Sequence, residues 1–596
     1  PARRGRAQRH CRGSAALHAN TGCMTILGFA LALPRQKSAA SARLQITPSL
    51  QDLCGDLPRL WTAQDTHVAD LGSAGCVIGT LFSRDTAHRV SQLPEVGARS
   101  AKCLAANLAA NFWGAYIAIL PDQDRSDLAV MPDPSGLVPI YRLVTTTHVV
   151  LTSDPKLFEQ VCGKRMSMSW DSLARFLMCS ELRARQTCLV GVDELRPGAL
   201  TYPAACDPEE FPVWRAQQFL PGRLSLSYDE ARSHLRKVAI RVMGAWADEL
   251  GPTTVAVSGG VDSSLVCAAL ARAQKPFSCV TLATADRSGD ERDYARLLAK
   301  HLGAEYAERI YDPVRFDPQI SASASLPRPS RRSFLSTIDA LLADAAGDLG
   351  AQIVFDGNAG DNLFCFLHSA APVVDRLRVE GPGRGAVATL LDMCRVTGCD
   401  LPTMVKATLK RLVRRPRREW SFDRRLLADH LASDEALDPV TPWLDIGVGR
   451  HGGKRDHLAL IMRAQHHVHG LGVGPERFSP LMSQPLLELC LSIPTWLWAK
   501  GGRNRALARD AFAADLPQSL LARTSKSGPD SFIRLAFHHH RSTIRELLLD
   551  GLIARNGLLD RARVEAAFEL DTSLDGSTIY RLLDLAEAET WVRSWQ

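Results

Sequence analysis

Thr254–Leu270, TVAVSGGVDSSLVCAAL, is the stretch that decides the fold. Val255, Ala256 and Val257 read as the end of a buried parallel strand. Ser258, Gly259 and Gly260 read as a turn, and Val261 onward as a helix running into alanines. A strand, a glycine turn and a helix start together make a phosphate site. Glycine lets the backbone approach an anion, and the free N–H groups of a helix N-terminus point at it. Ser258, Ser263 and Ser264 add hydroxyl donors. Asp262 is the acid among them. A carboxylate beside phosphate makes sense when it holds Mg2+, which bridges carboxylate and phosphate oxygens. The loop lacks the Lys of G-x-x-x-x-G-K-[ST], which separates it from the common NTPase loop.

Downstream, Phe277–Ala283 reads as the next strand and Arg287–Leu302 as a helix, with Asp290 and Glu291 near its start, where acids suit the dipole. Ile353–Phe355 is another short strand, followed by DGNAGDNLF. Strands alternating with helices predict a parallel sheet with ligands at the strand C-termini, where both the SGGVDSS and DGNAGDN loops fall. Upstream, Tyr228–Leu250 is predicted as an amphipathic helix, and Asp207–Ser227 as an irregular linker. Residues 24–215 read as many short strands, among them Cys76–Phe82, Phe112–Leu120 and His148–Thr152, with a helix at Trp170–Leu177 and a turn at Asp133-Pro134-Ser135-Gly136.

A chain of 596 residues holds two or more domains. A net charge of +7, much of it in local runs, does not argue for nucleic acid. The 15 cysteines show no C-x-x-C pair and no Cys/His metal spacing, so reduced thiols in the cytoplasm are expected. No run reaches the ~18–20 apolar residues of a membrane span. Arg3, Arg4, Arg6, Arg9 and Arg12 ahead of the apolar Ile26–Leu33 resemble a secretory signal. The alternative starts the protein at Met24, with residues 1–23 a non-native or disordered extension and ILGFALAL a first strand; nothing else suggests export, and this alternative is taken. Met404–Arg425 is strongly basic, read as a solvated helix face or as a binder of an acidic peptide. His466, His467 and His469 lack neighbouring carboxylates and read as surface or supporting groups.

SGGVDSS resembles the pyrophosphate loop of ATP pyrophosphatases, which cleave ATP between the α and β phosphates. The N-terminal order resembles the glutamine-amidotransferase domain of asparagine synthetases, through Gly114, Ala115, Asp133, Gly136, Pro139 and Tyr141. The implied fold class is α/β: an Ntn-hydrolase-like αββα domain over 24–215, then an ATP-pyrophosphatase (PP-loop) domain with a parallel sheet over 216–596. Working members carry a Cys after the initiator Met. Here Thr25 follows Met24, and Cys23 lies on the wrong side of it, which predicts a degenerate glutaminase.

In asparagine and β-lactam synthetases the second loop has the form Gly-Xaa-Gly-Xaa-Asp; here it is Gly357, Asn358, Ala359, Gly360, Asp361. The resemblance implies that Asp262 and Asp361 hold Mg2+. It implies that Val257, Ser258, Gly259, Gly260, Ser263, Ser264, Leu282, Gly357 and Asn358 border ATP. The plainer role for Asp361 is a helix N-cap. Where the family has Glu or Tyr tied to nucleophile activation, this chain has Asn358, which cannot be a general base. Lys526, in an Arg-Xaa-Xaa-Lys-Xaa-Gly setting, matches the family's catalytic Lys, expected to stabilise charge at the acyl carbon.

FSPLMSQPLLELCLSIP, GGRNRALARDAF and LPQSLLARTSKSG continue the resemblance. Ser-Gln-Pro-Leu looks most like lasso-peptide cyclases, the macrolactam synthetases of this superfamily. The expected function is an ATP-dependent amide-bond synthetase that adenylates an Asp or Glu side chain of a precursor peptide and joins it to the N-terminal amine. A leader peptidase and a leader-binding protein are the expected partners. An ammonia-dependent asparagine synthetase and a β-lactam synthetase-like cyclase are the alternatives.

Overall fold

The computed structural model of the chain describes residues 29–34, 50–52, 59–63, 66–92, 100–163, 165–205, 207–220, 226–284, 290–331, 333–413, 420, 422–431, 438–441, 444, 452–468, 477–523, 530–569 and 574–596. Met24, Thr25 and Lys526 therefore lie outside the described residues, as do His469 and the side chains of His466 and His467.

Twelve described strands form the N-terminal part: β1 Phe29–Pro34, β2 Leu50–Asp52, β3 Arg59–Ala63, β4 Val68–Asp70, β5 Cys76–Ser83, β6 Phe112–Asp122, β7 Asp127–Pro132, β8 Tyr141–Val144, β9 His148–Thr152, β10 Val192–Glu194, β11 Ala199–Tyr202 and β12 Glu209–Pro212. They build two six-stranded sheets, ordered β10-β8-β9-β1-β3-β2 and β12-β11-β7-β6-β5-β4. Neighbouring strands run antiparallel, as in the eight-residue register of β5 on β6.

The apolar run of β6 follows from burial on both faces. Trp113, Ala115, Ile117 and Ile119 join Phe29, Leu31 and Leu33 of β1 in one core between the sheets. The alternate residues Tyr116, Ala118 and Leu120 pack with Leu104 and Leu108 of the helix Ala101–Asn111 on the outside. Beneath β1, Ala30 and Ala32 meet Phe158 and Leu173, which lie on the helices Lys156–Cys162 and Trp170–Met178. Period-two side chains with both faces covered give the expected αββα layering.

Five described strands form the C-terminal sheet: β13 Thr253–Ala256, β14 Phe277–Ala283, β15 Glu305–Ile310, β16 Ile353–Phe355 and β17 Arg477–Phe478. The order is β15-β14-β13-β16-β17 and every pairing is parallel. The helices Val261–Arg272, Arg292–Leu302 and Leu335–Asp348 make the crossovers. From β13 the chain runs outward through β14 to β15, then returns to lay β16 on the other flank of β13. The order reverses between β13 and β16, and in open parallel sheets the C-terminal ends beside such a reversal are where ligands bind.

The helix Tyr228–Leu250 begins at the predicted residue, where Ser227 and Glu230 form a capping box. Its Trp246 joins the two halves. The indole lies edge-on to Phe82 at 4.9 Å, packs on Phe478 at 4.5 Å and donates from Nε1 to Ser483 Oγ at 2.8 Å. One reading needs correction. Asp207–Ser227 is not an irregular linker throughout, because Glu209–Pro212 pairs with β11 as the sheet's edge strand. Pro212 is tolerated there because an edge strand has one unpaired side. No helix among the described residues is long and apolar enough to cross a membrane.

Candidate active site

β13 ends at Ala256, and Val257 is still tied to the sheet through its N–H to Val280 O at 2.8 Å. The chain then turns. Gly259 takes φ +61, the left-handed region open to glycine, and a side chain there would meet Tyr294 Cβ and Arg523 Nη1, each 2.8 Å from the new Cβ. Gly260 precedes the helix Val261–Arg272, and among the described residues no side chain caps it. The first amides of that helix lie at the positive end of its dipole. The serines behave differently from the expectation of displayed hydroxyls. Ser264 Oγ donates to Gly260 O at 2.8 Å, Ser263 Oγ lies 3.4 Å from the same carbonyl, and Ser258 N reaches Ser263 Oγ at 3.4 Å. Ser263 and Ser264 are buried and brace the turn from within. Leu282, on β14 beside β13, is partly exposed.

The second loop leaves β16 and meets the first at van der Waals limit. A Cβ on Gly360 would sit 2.3 Å from Asp262 Cγ, and one on Gly357 2.5 Å from Ser263 N. Glycine at both places lets the two loops close on each other. Ala359 adopts φ +67, a left-handed conformation that glycine takes more readily than alanine. Asp361 lies inside the short helix Gly360–Leu363 and not at its N-cap, which is Ala359.

Asp262 and Asp361 converge on one group that the sequence reading did not assign. Arg505 Nη1 donates to Asp262 Oδ2 at 2.7 Å and to Asp361 Oδ1. Arg505 and Asp262 are buried, whereas the Asp361 side chain is 50% exposed, so the pair opens to solvent on the Asp361 side. Phe366 lies 5.2 Å beneath the guanidinium. Arg509 is close by, donating to Asn504 O at 2.9 Å and Leu521 O at 2.8 Å. Burial, and then the repulsion of Arg505, brings Arg509 down to about 10. Arg523 braces the first loop. It donates to Gly259 O at 3.0 Å and to Glu291 Oε1 at 2.5 Å, and stacks 4.3 Å from Tyr294. It also anchors the chain three residues before Lys526. The two loops thus bring together helix amides, two acids and three arginines, a composition suited to a polyphosphate with its cation.

Asn358 has a structural partner. Its backbone N–H donates to Asp356 Oδ1 at 3.0 Å and its Nδ2 to Asp356 Oδ2 at 2.7 Å. Buried Asp356 also accepts from Ser479 Oγ at 2.7 Å and Arg477 Nε at 2.5 Å, and Arg477 Nη1 reaches Asp339 at 2.7 Å. Burial alone would lower Arg477, but Asp356 and Asp339 hold it above its usual value. Behind the loop, Asn362 Nδ2 donates to Leu460 O at 2.6 Å and buried His457 Nε2 contacts Leu363 O at 2.8 Å. Both partners lie on the helix Gly452–Val468, whose Gln465 bonds Ser135 O at 3.0 Å in the N-terminal Asp133–Gly136 turn. The Ser-Gln-Pro-Leu stretch likewise reaches the N-terminal half, where Gln484 Nε2 bonds Ala109 O at 3.1 Å, while Ser483 bonds Trp246.

Among the described residues no group of three or more His, Cys, Asp or Glu side chains is placed to hold a metal. The Asp262–Asp361 pair nonetheless fits Mg2+. That ion is commonly held by one or two carboxylates plus substrate phosphates, and a cationic group already satisfies both acids here.

A family model described as Asparagine synthase matches residues 246–445 and 471–593, more than half of the chain. No curated protein matches the chain. Among solved structures, an NMN synthetase from Francisella tularensis aligns at 14% identity over 24% of this chain and 60% of its own, with a TM-score of 0.17. This chain therefore spans less than two thirds of that protein, and the likeness carries no argument.

Proposed function

The chain belongs to the asparagine synthase family, and from that premise we propose that it is an ATP-dependent amide-forming ligase acting on a precursor peptide. The observation that carries the reading is the meeting of Asp262 and Asp361 on one cationic group at the switch point of the parallel sheet. In this reading a substrate carboxylate attacks the α-phosphorus of ATP, giving an acyl-adenylate and pyrophosphate. An amine then attacks the acyl carbon and AMP leaves. Asp262 and Asp361 would hold Mg2+, which would neutralise phosphate charge. The amides of the Gly259–Ser263 turn orient the pyrophosphate, and Arg523 fixes the turn. Lys526 is assigned to charge developing at the acyl carbon.

The amine comes from the peptide itself. Thr25 stands where a glutaminase would need Cys, and an intramolecular α-amine gains from proximity what free ammonia lacks. Its pKa lies near 7.7–8.0, so much of it is neutral at physiological pH and Asn358 need not act as a base. The lasso-cyclase likeness of Ser483–Leu486 supports a macrolactam between that amine and an internal Asp or Glu. The domain limits 24–215 and 216–596 are part of the proposal, as are a leader peptidase and a leader-binding protein as partners.

The test incubates linear peptide bearing a free α-amine and an internal acid with ATP and Mg2+. The expected product is lighter by one water, and replacing the ring acid with Asn or Gln leaves the peptide linear. Efficient conversion of free aspartate and ammonia, with peptides ignored, replaces this reading with an asparagine synthetase.

A further inference from the structure

Arg505 is placed in a way that binding an anion alone does not require. One nitrogen, Nη1, holds both Asp262 and Asp361, so a fixed positive charge sits between the two acids. Two of the three groups are dry: Arg505 is 7% exposed and Asp262 5%. Its backbone is in a costly conformation, φ +53 at a non-glycine residue flanking the helix Ala506–Ala511. Phe366 beneath and Arg509 beside it limit where the guanidinium can go. A backbone held in the left-handed region to deliver one charge to one place marks a positioned group.

We propose that Arg505 is a built-in counter-cation that closes the Asp262–Asp361 pair to a bare divalent ion and opens it only when the ion arrives with a nucleotide. The reasoning is electrostatic. A bare cation entering between the acids must either evict a buried guanidinium that has no other anion among the described residues, or crowd against its charge in a site of low dielectric. A triphosphate removes that obstacle, because its oxygens give the guanidinium a new anion in planar, charge-assisted geometry. The half-exposed Asp361 side chain leaves one side of the pair open for the exchange. Metal binding then becomes conditional on nucleotide. The two share a positive coupling, since each removes the cost of admitting the other.

The proposal rests on the ligase reading only for the identity of the nucleotide. It is tested with Mn2+ alone on the full chain, following free Mn2+ by electron paramagnetic resonance, without and with α,β-methylene-ATP. Wild type with bound analogue is expected to hold Mn2+ at least about tenfold more tightly than either the chain alone or the analogue alone does. Arg505→Gln is expected to raise affinity for Mn2+ alone by about tenfold or more, and adding Asp262→Asn to that variant should cancel the gain. Arg505→Lys, which keeps the charge, should stay near wild type. A merely structural arginine would lower metal affinity when removed, so the direction of change separates the two roles. Arg505→Gln leaving Mn2+ affinity unchanged or weaker overturns the proposal. So does wild type with bound analogue holding Mn2+ no more tightly than the chain alone or the analogue alone does. If Arg505→Gln does not fold, the two wild-type titrations decide. If the analogue does not bind at all, the ligase reading fails while the Mn2+-only comparison of wild type and Arg505→Gln still decides this one.

Discussion

Gly360→Ala adds a single methyl group where the structure has no room for one. The new Cβ would stand 2.3 Å from Asp262 Cγ, 2.4 Å from its Cβ and 2.5 Å from its Oδ1. Carbon atoms in contact settle near 3.5–4.0 Å, so the loops must part by about 1 Å or more. Overpacking of this kind costs about 1–3 kcal/mol of stability. The functional cost is larger, because a displacement of about 1 Å in a preorganised site is worth about a hundredfold. The assay pairs thermal unfolding with calorimetric titration of ATP in Mg2+. We expect a modest drop in Tm and at least about a hundredfold loss of nucleotide affinity or turnover. Gly347→Ala is the control: among the described residues nothing lies within 4 Å of its Cβ position in the helix Leu335–Asp348, and alanine there should be neutral or stabilising by up to about 1 kcal/mol. A Gly360→Ala enzyme within threefold of wild type would refute the claim that close approach of the two loops makes the site.

Ala359→Gly should stabilise the chain by up to about 1 kcal/mol in denaturant unfolding, because glycine relieves the left-handed φ of +67; destabilisation would mean the methyl packs usefully. His457 is held neutral by burial, its pKa brought down to about 3. The unfolded chain takes up that proton near pH 6.5 and the folded chain does not. Stability from this group is therefore intact above pH 6.5 and falls as the pH drops toward 3, by about 2 kcal/mol at pH 5 relative to pH 7. His457→Gln should flatten that part of the stability–pH curve, and an unchanged slope would reject the assignment. Asn358→Ala should lower turnover only modestly, as a loss of the Asp356 tether; more than about a thousandfold with ATP binding intact would place Asn358 in the chemistry.

The strand–turn–helix at Thr254–Leu270 was legible because each local choice agrees with the next: β-branched residues, then two glycines, then a helical run. The same holds for the helix Tyr228–Leu250, whose start is announced by its capping box. Edge strand β12 was not legible, since Pro212 and the acids around it carry no alternation and its pairing depends on a partner already in place. The two acids of the site were readable from loop motifs, but their shared partner was not. Arg505 lies 243 residues from Asp262, and nothing in local spacing reports that they meet. The stretch GGRNRALARDAF offered the one available signal, as part of the resemblance. Asp356, Arg477 and Ser479 were missed for the same reason: their bonds cross between the C-terminal ends of two strands far apart in sequence. Ser263 and Ser264 taught the opposite lesson, since a hydroxyl suited to phosphate also suits the carbonyl four residues back.

Nucleotide products test the account most directly. ATP labelled at the α- and γ-phosphates is incubated with Mg2+ and, in parallel, with linear peptides carrying a free α-amine and an internal acid, and with aspartate plus ammonia. The account predicts AMP and pyrophosphate in equal amounts with the productive substrate, and loss of both in Asp262→Asn and Asp361→Asn. ADP and phosphate formed in step with an amide product, or full activity in either Asn variant, would contradict it.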